Sequence, residues 1–346
     1  MSSRRDHPLW QLTLARWRIF SREPSTMFWT YGFPLLLTLA LGVAFRNRPP
    51  EPVDVAVVMG SGAEQVRSEL AGHADLHVLV LDARGAAEAL RIGRVDVVVE
   101  PGAVRTYRFD PTRPESRIAR AVVDDTLQRA EGRRDPTATA NQLVTEPGSR
   151  YIDFLVPGLL GFGLMSSGLW GVGYLLVEMR TRKLIKRLRA TPMRKPHFLM
   201  SFVLMRAFFL LGELPLLLGF AYFVFDVPVR GSIALLGLVA VLGSLVFAGM
   251  GLLVSSRAQN VQTVGGLINL LLLPMSVCSG VFFSYTRFPA SVQPVIRALP
   301  LTALIDAMRA IMIEGASLAA IALPIAILVV WGVIAFSAAL ALFRWQ

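Results

Sequence analysis

Glu213 lies inside an apolar stretch, 198–225, whose only other charge is Arg206. If that stretch crosses a bilayer, a carboxylate there costs several kcal/mol unless it is paired or protonated. Two readings follow. Glu213 lines or gates a path through the membrane, or it is a buried hydrogen-bond partner for Asn269 or Ser244. Arg206 sits nearer the end of the stretch and is expected to snorkel to the interface.

Other chemistry-bearing types are sparse. His73 and His77 stand at i, i+4 with no third ligand in view, so they read as two surface histidines beside a strand. Neither H-E-x-x-H nor a Cys/His cluster occurs, and Cys278 is the single cysteine. No metal or catalytic residues are therefore expected. Gly60-Ser61-Gly62 lacks the full G-x-G-x-x-G and reads as a turn. The chain has no G-x-x-x-x-G-K-[ST] loop, so it is not expected to hydrolyse ATP by itself.

The richest polar segment begins at Glu178. Leu184, Ile185 and Leu188 fall on one side of a short basic helix, and Thr191-Pro192 ends it, because a residue before proline avoids the α region. Such a helix is either a handle that another protein can push or a charged loop that only sets topology.

These residues must be positioned by an unusual layout. Only 17% of residues are charged and mean hydropathy is +0.54, against about 25% charged in soluble domains. Charge is absent between Glu23 and Arg46, Asp153 and Glu178, Arg230 and Arg257, and Arg257 and Arg287, and again over 315–343. With 198–225, this predicts six transmembrane helices, since roughly 20 apolar residues cross the hydrocarbon. The expected fold is an α-helical polytopic membrane protein. Helix 1 covers 24–45, an external α/β domain covers 46–150, and helices 2–6 fall within 151–346. No cleavable signal is expected before Arg46.

The net charge of +11 sits beside the spans rather than on the polar domain. Residues 1–23 hold five Arg against Asp6 and Glu23, and 178–197 hold eight Lys or Arg against Glu178. The polar segment is nearly balanced, so nucleic acid is not an expected partner. The positive-inside rule puts both termini and the loop 178–197 in the cytoplasm, and 46–150 and the short helices of 287–314 outside. Residues 7–23 form an amphipathic helix with Trp10, Trp17 and Phe20 on one face, suited to the lipid interface.

In the polar domain, aliphatic runs at 53–58, 76–81, 95–99 and 104–109 read as strands. Helical spacing covers 63–70, 83–92 and 116–131, the last with Ser116 as expected N-cap. The order is β-α-β-α-β-β-α, a small α/β domain with one mixed sheet. In the spans, Pro34, Pro215 and Pro274 and the pair Gly265-Gly266 mark kinks or close packing.

This layout resembles the ATP-binding-cassette (ABC) transporter permeases of the type-2 exporter family. Glu178, Leu184, Leu188, Thr191 and Pro192 match that family's loop between spans two and three. Ser279-Gly280-Val281-Phe282-Phe283 matches its segment late in span five, and Leu299-Pro300 with Arg309 matches the segment that follows. The loop departs from the pattern at Arg182-Lys183 and Lys186-Arg187, where acidic residues and Gly-Thr are usual. The resemblance implies a membrane permease subunit of an ATP-driven exporter in a bacterial or archaeal plasma membrane. It further implies a homodimer whose interface forms the substrate path, and a pair of ABC ATPase subunits that carry ATP and Mg while this chain binds no cofactor. ATPase coupling would then fall to the five loop residues, and the substrate path or its gating to Glu213, Asn269, Phe282 and Phe283. The alternative reading is a membrane-anchored sensor or assembly protein whose external α/β domain binds a ligand.

Overall fold

A computed structural model describes residues 24–44, 52–137, 140, 148, 150–184 and 195–342. The chain divides into two compact units, Asn47–Val144 and the remainder.

In the smaller unit, strands β1 (Val53–Val58), β2 (Leu76–Leu81), β3 (Val97–Glu100) and β4 (Thr106–Phe109) form one sheet in the order β2-β1-β3-β4. β1 runs parallel to β2 and β3, and β4 runs antiparallel to β3. The valine-rich strands suit a sheet covered on both faces. Val55, Val57, Val97 and Val99 pack against helices α3 (Ala63–Ala71) and α5 (Pro114–Ala130). Ala56 and Val98 face the other way, against Ala86 and Ala89 of α4 (Ala83–Arg91).

Local chemistry sets the joints. Asp82 caps α4 by accepting from Gly85 N at 3.0 Å. Gly62 opens α3 at φ 89°, so Gly60-Ser61-Gly62 forms the turn between β1 and α3. α5 starts two residues before the expected cap: Arg113 is its N-cap, and Ser116 is a buried first-turn residue. Pro114, with φ already preset, takes the first helical position instead. His77 pairs with Asp54 directly across the β1–β2 ladder at 2.9 Å, which leaves the histidines as surface groups.

In the larger unit, α1 (Pro24–Met27) runs through a π-helical turn (Phe28–Gly32) into α2 (Phe33–Ala44). α6 (Tyr151–Gly168), a second π turn (Leu169–Tyr174) and α7 (Leu175–Thr181) form another continuous helical run. α8 (Lys195–Phe225), α9 (Ile233–Ser255) and α10 (Val261–Cys278) follow. After a 3₁₀ turn (Tyr285–Arg287) come α11 (Gln293–Arg297), α12 (Pro300–Arg309), a third π turn (Ala310–Glu314) and α13 (Ala322–Leu342).

Among the described residues, five helices are long and apolar enough to cross a membrane: Tyr151–Thr181, Met200–Phe225, Ile233–Ser255, Val261–Cys278 and Ala322–Leu342. The expected first span differs from these, because the π turn leaves α2 as an apolar α-helix of 12 residues.

The core is built on α6, α9 and α12. Leu155, Leu159 and Leu164 meet Leu236, Val239 and Phe247, with Leu301, Leu304 and Ile305 closing the third side. Glycine permits a close seam between α6 and α9: a Cβ on Gly251 would lie 2.7 Å from the Gly168 carbonyl oxygen. α12 is buried along most of its length, so protein encloses this helix of the 287–314 segment.

Candidate functional site

Three polar arrangements sit within this apolar unit. The first is on α8, where Met205, Arg206, Leu210, Glu213, Leu214 and Leu217 form a buried face opposite exposed Leu204 and Leu211. Arg206 and Glu213 are seven residues apart, about 10.5 Å of helical rise. Their side chains close that gap, with Nη2 2.7 Å from Oε2 and exposures of 4% and 3%. Arg206 therefore turns inward rather than snorkelling. A carboxylate two turns away compensates a charge that the packed face would otherwise leave alone. Nε and Nη1 of Arg206 have no acceptor among the described residues.

Two neighbours crowd this pair. Glu213 Oε1 is 3.5 Å from where a Cβ on Gly163 of α6 would stand. The Tyr31 hydroxyl, from the first π turn, lies 3.5 Å from the equivalent point on Gly212 and donates to Phe209 O at 3.4 Å. Neither Ser244 nor Asn269 is the partner of Glu213. Ser244 Oγ is buried with no partner among the described residues, and Asn269 is exposed on α10.

The second arrangement lies at the end of α7. The Arg180 guanidinium donates to three carbonyls of the α9–α10 connection: Nη1 to Ser255 O (3.2 Å) and Ala258 O (2.5 Å), and Nη2 to Ser256 O (3.1 Å). These include carbonyls that the end of α9 leaves without intrahelical donors. Glu178 pairs with Arg182 at 2.7 Å, and Leu184 is half-buried. Leu188, Thr191 and Pro192, and likewise Trp10, Trp17 and Phe20, lie outside the described residues.

The third arrangement holds the turn after α10. Gly280 takes φ 83°. Arg309 Nη2 donates to Gly280 O at 3.0 Å and to Phe154 O at 3.3 Å, with the guanidinium 3.8 Å over the Phe154 ring. The Tyr151 hydroxyl donates to Phe282 O at 2.7 Å. Gly158 leaves room for the Val281 carbonyl, which would stand 2.4 Å from a Cβ at that position. Phe282 lies beside Phe162 with ring centroids 6.4 Å apart, and Phe283 beside Phe288 at 6.0 Å. Asp306 and Arg309, at i, i+3 on α12, have their charged atoms 3.7 Å apart, and Tyr285 donates to Asp306 at 3.2 Å. Burial pushes the Asp306 carboxyl above its usual range, against the pull of Arg309.

Sequence reasoning did not anticipate Tyr31, Tyr151, Arg180 or the Gly158 contact. The one available signal was for Arg180, which belongs to the basic run that follows Glu178. Among the described residues no group of three or more His, Cys, Asp or Glu could hold a metal ion.

The family profile described as "ABC-2 family transporter protein" matches residues 24–341. The chain is 31% identical over 207 residues to the ABC transporter G family member 20 of Dictyostelium discoideum, covering 59% of this chain and 28% of that protein. It is 24% identical over 165 residues to the probable multidrug ABC transporter permease YbhS of Escherichia coli strain K12, covering 47% of this chain and 43% of the relative. Both alignments span less than half of the relative's own length. With several helices long enough to cross a membrane and a profile match over most of its length, the chain is a multi-pass membrane protein and belongs to the ABC-2 family of transporter proteins.

Proposed function

We propose that the chain is the membrane-spanning subunit of an ATP-driven exporter, acting as a homodimer with two separate ABC ATPase subunits that carry ATP and Mg. In this reading residues 24–44, 21 helical residues with a rise of about 31 Å, complete a set of six spans. Both termini are cytoplasmic in a bacterial or archaeal plasma membrane, and 46–150 is external. Glu178, Leu184, Leu188, Thr191 and Pro192 meet the ATPase. Phe282 and Phe283 border the outer end of the substrate path.

The observation that carries the reading is on α10. Gln262, Gly266 and Asn269 share one helical face, and all three are exposed. An amide facing hydrocarbon leaves its donors and acceptor unsatisfied, so this face calls for a protein or aqueous neighbour. A second copy across a two-fold axis supplies the protein, and the seam between copies supplies the path. The name of the Escherichia coli relative, a probable multidrug permease, supports a hydrophobic or amphipathic cargo.

The test is to purify the full chain alone and together with a co-encoded ABC ATPase. Co-purification with an altered ATP hydrolysis rate is expected. Equal rates without co-purification refute the reading.

A further inference from the structure

We propose that Arg180 is a positioning residue that ties the end of α7 to the turn entering α10, so that movement of the ATPase-facing segment is delivered to α10. The inference rests on the export reading above, but it concerns a residue and a route which that reading does not name.

Arg180 is in the last turn of α7, three residues before Lys183, whose φ of 58° turns the chain out of the helix. A displacement arriving through the loop beyond Lys183 therefore meets Arg180 at its first helical anchor. The Arg180 head group does not end in solvent. It reaches three carbonyls, Ser255 O, Ser256 O and Ala258 O, across the close of α9 and the connection that follows. A planar guanidinium holding several acceptors fixes orientation as well as distance, which a lysine ammonium does not.

The receiving side is short and well defined. Ser255, Ser256 and Ala258 are buried. Two residues beyond Ala258, Asn260 caps α10 by accepting from Thr263 N at 2.7 Å. The clamp thus fixes the entry to α10 without touching its body.

Within one copy the body of α10 is the less packed part: 28% of it is buried, against 78% of the apolar stretch of the run Tyr151–Thr181 that carries Arg180, and its exposed face is the one the second copy would cover. Its far end is also held from the packed core, through Arg309 to Gly280 O at 3.0 Å. A helix that its own chain covers lightly, and that arginines of the frame pin at both ends, can shift its middle against the second copy while its ends follow the frame. The middle carries Gly265-Gly266, where close packing is light, and the exposed Asn269.

The test uses the full chain with its co-expressed ABC ATPase, in a Cys278→Ser background, reconstituted in nanodiscs. One spin-label pair, Lys183→Cys with Gln259→Cys, spans the clamp. A second, Leu238→Cys with Leu270→Cys, reads the middle of α10 against α9. Distances are measured before and after ATP–vanadate trapping. With Arg180 intact, the clamp pair is expected to stay constant and the α10 pair to shift. With Arg180→Gln and Arg180→Lys, ATP hydrolysis is expected to persist, the α10 shift to be lost and the clamp pair to broaden. Arg180→Lys keeps the charge and loses the fork, so a topology effect and a clamping effect separate.

A wild-type clamp pair that moves on trapping overturns the proposal without any variant, even if Arg180→Gln fails to fold. A folded Arg180→Lys with the wild-type α10 shift overturns it as well. A wild-type chain that neither binds the ATPase nor responds to trapping overturns the export reading instead.

Discussion

Arg206 and Glu213, two turns apart on α8, neutralise each other at 2.7 Å with 4% and 3% of their side chains exposed. The pair lies on the packed face of a helix whose opposite face is apolar and exposed. A buried pair of this kind repays desolvation poorly, but losing one member leaves a charge stranded.

Removing one partner should therefore cost more than removing both. Arg206→Met alone, or Glu213→Leu alone, is expected to destabilise the unit by about 3–5 kcal/mol, whereas the double substitution should recover most of that loss. Thermal unfolding of the detergent-solubilised chain reads the cycle. A double variant as unstable as the sum of the two single variants would sink the pairing argument.

The turn after α10 depends on the absent side chain at position 158. Gly158→Ala puts a Cβ 2.4 Å from the Val281 carbonyl oxygen, and an overpacked contact of this kind costs about 1–3 kcal/mol. Tyr151→Phe removes the hydroxyl that donates to Phe282 O and should cost about 0.5–1.5 kcal/mol. A Gly158→Ala chain as stable as wild type would mean that the turn is not seated against α6.

Asp306 gives a pH dependence with a definite sign. Burial raises its folded-state pKa despite Arg309, so the folded chain holds the proton more tightly than the unfolded chain. Its contribution to stability is full at acid pH and declines as pH rises from the unfolded value of about 3.9 through the folded one. Asp306→Asn should remove that decline. Thermal midpoints of the two chains should diverge in favour of the variant as pH rises, and a gap that is constant with pH would refute the assignment.

The α/β unit has its own two-sided core, with Val55, Val57 and Leu70 fully buried. Deleting 50–148 is expected to leave insertion and ATPase co-purification intact. Loss of ligand binding without any transport defect would instead favour a sensing role for the chain. In the intact chain, Leu70→Ala should destabilise this unit by about 2–5 kcal/mol. Limited proteolysis would report that as faster cleavage within 52–137.

By itself, the sequence determined whatever depends on local period and local charge. Charge-free runs of helical length marked the long apolar helices. Valine-rich runs broken by helical spacing gave the order of the α/β unit, because strand and helix periods are written in consecutive residues. Tertiary structure alone decided where side chains end. Arg206 turns inward to Glu213, whose Oε1 lies against Gly163 of α6, a contact between helices far apart in the chain. The grip of Arg180 on Ser255, Ser256 and Ala258 joins residues more than seventy positions apart. The hold of Arg309 on Gly280 and Phe154 joins three elements through backbone carbonyls, which every residue possesses and no pattern of residue types reveals. The π turn at Phe28–Gly32 is of the same kind, since nothing in the composition of an apolar run says where its hydrogen-bond register slips. Enclosure of α12 also escaped the sequence: its apolar face was legible, but which helices would cover it depends on contacts that form only when the chain packs.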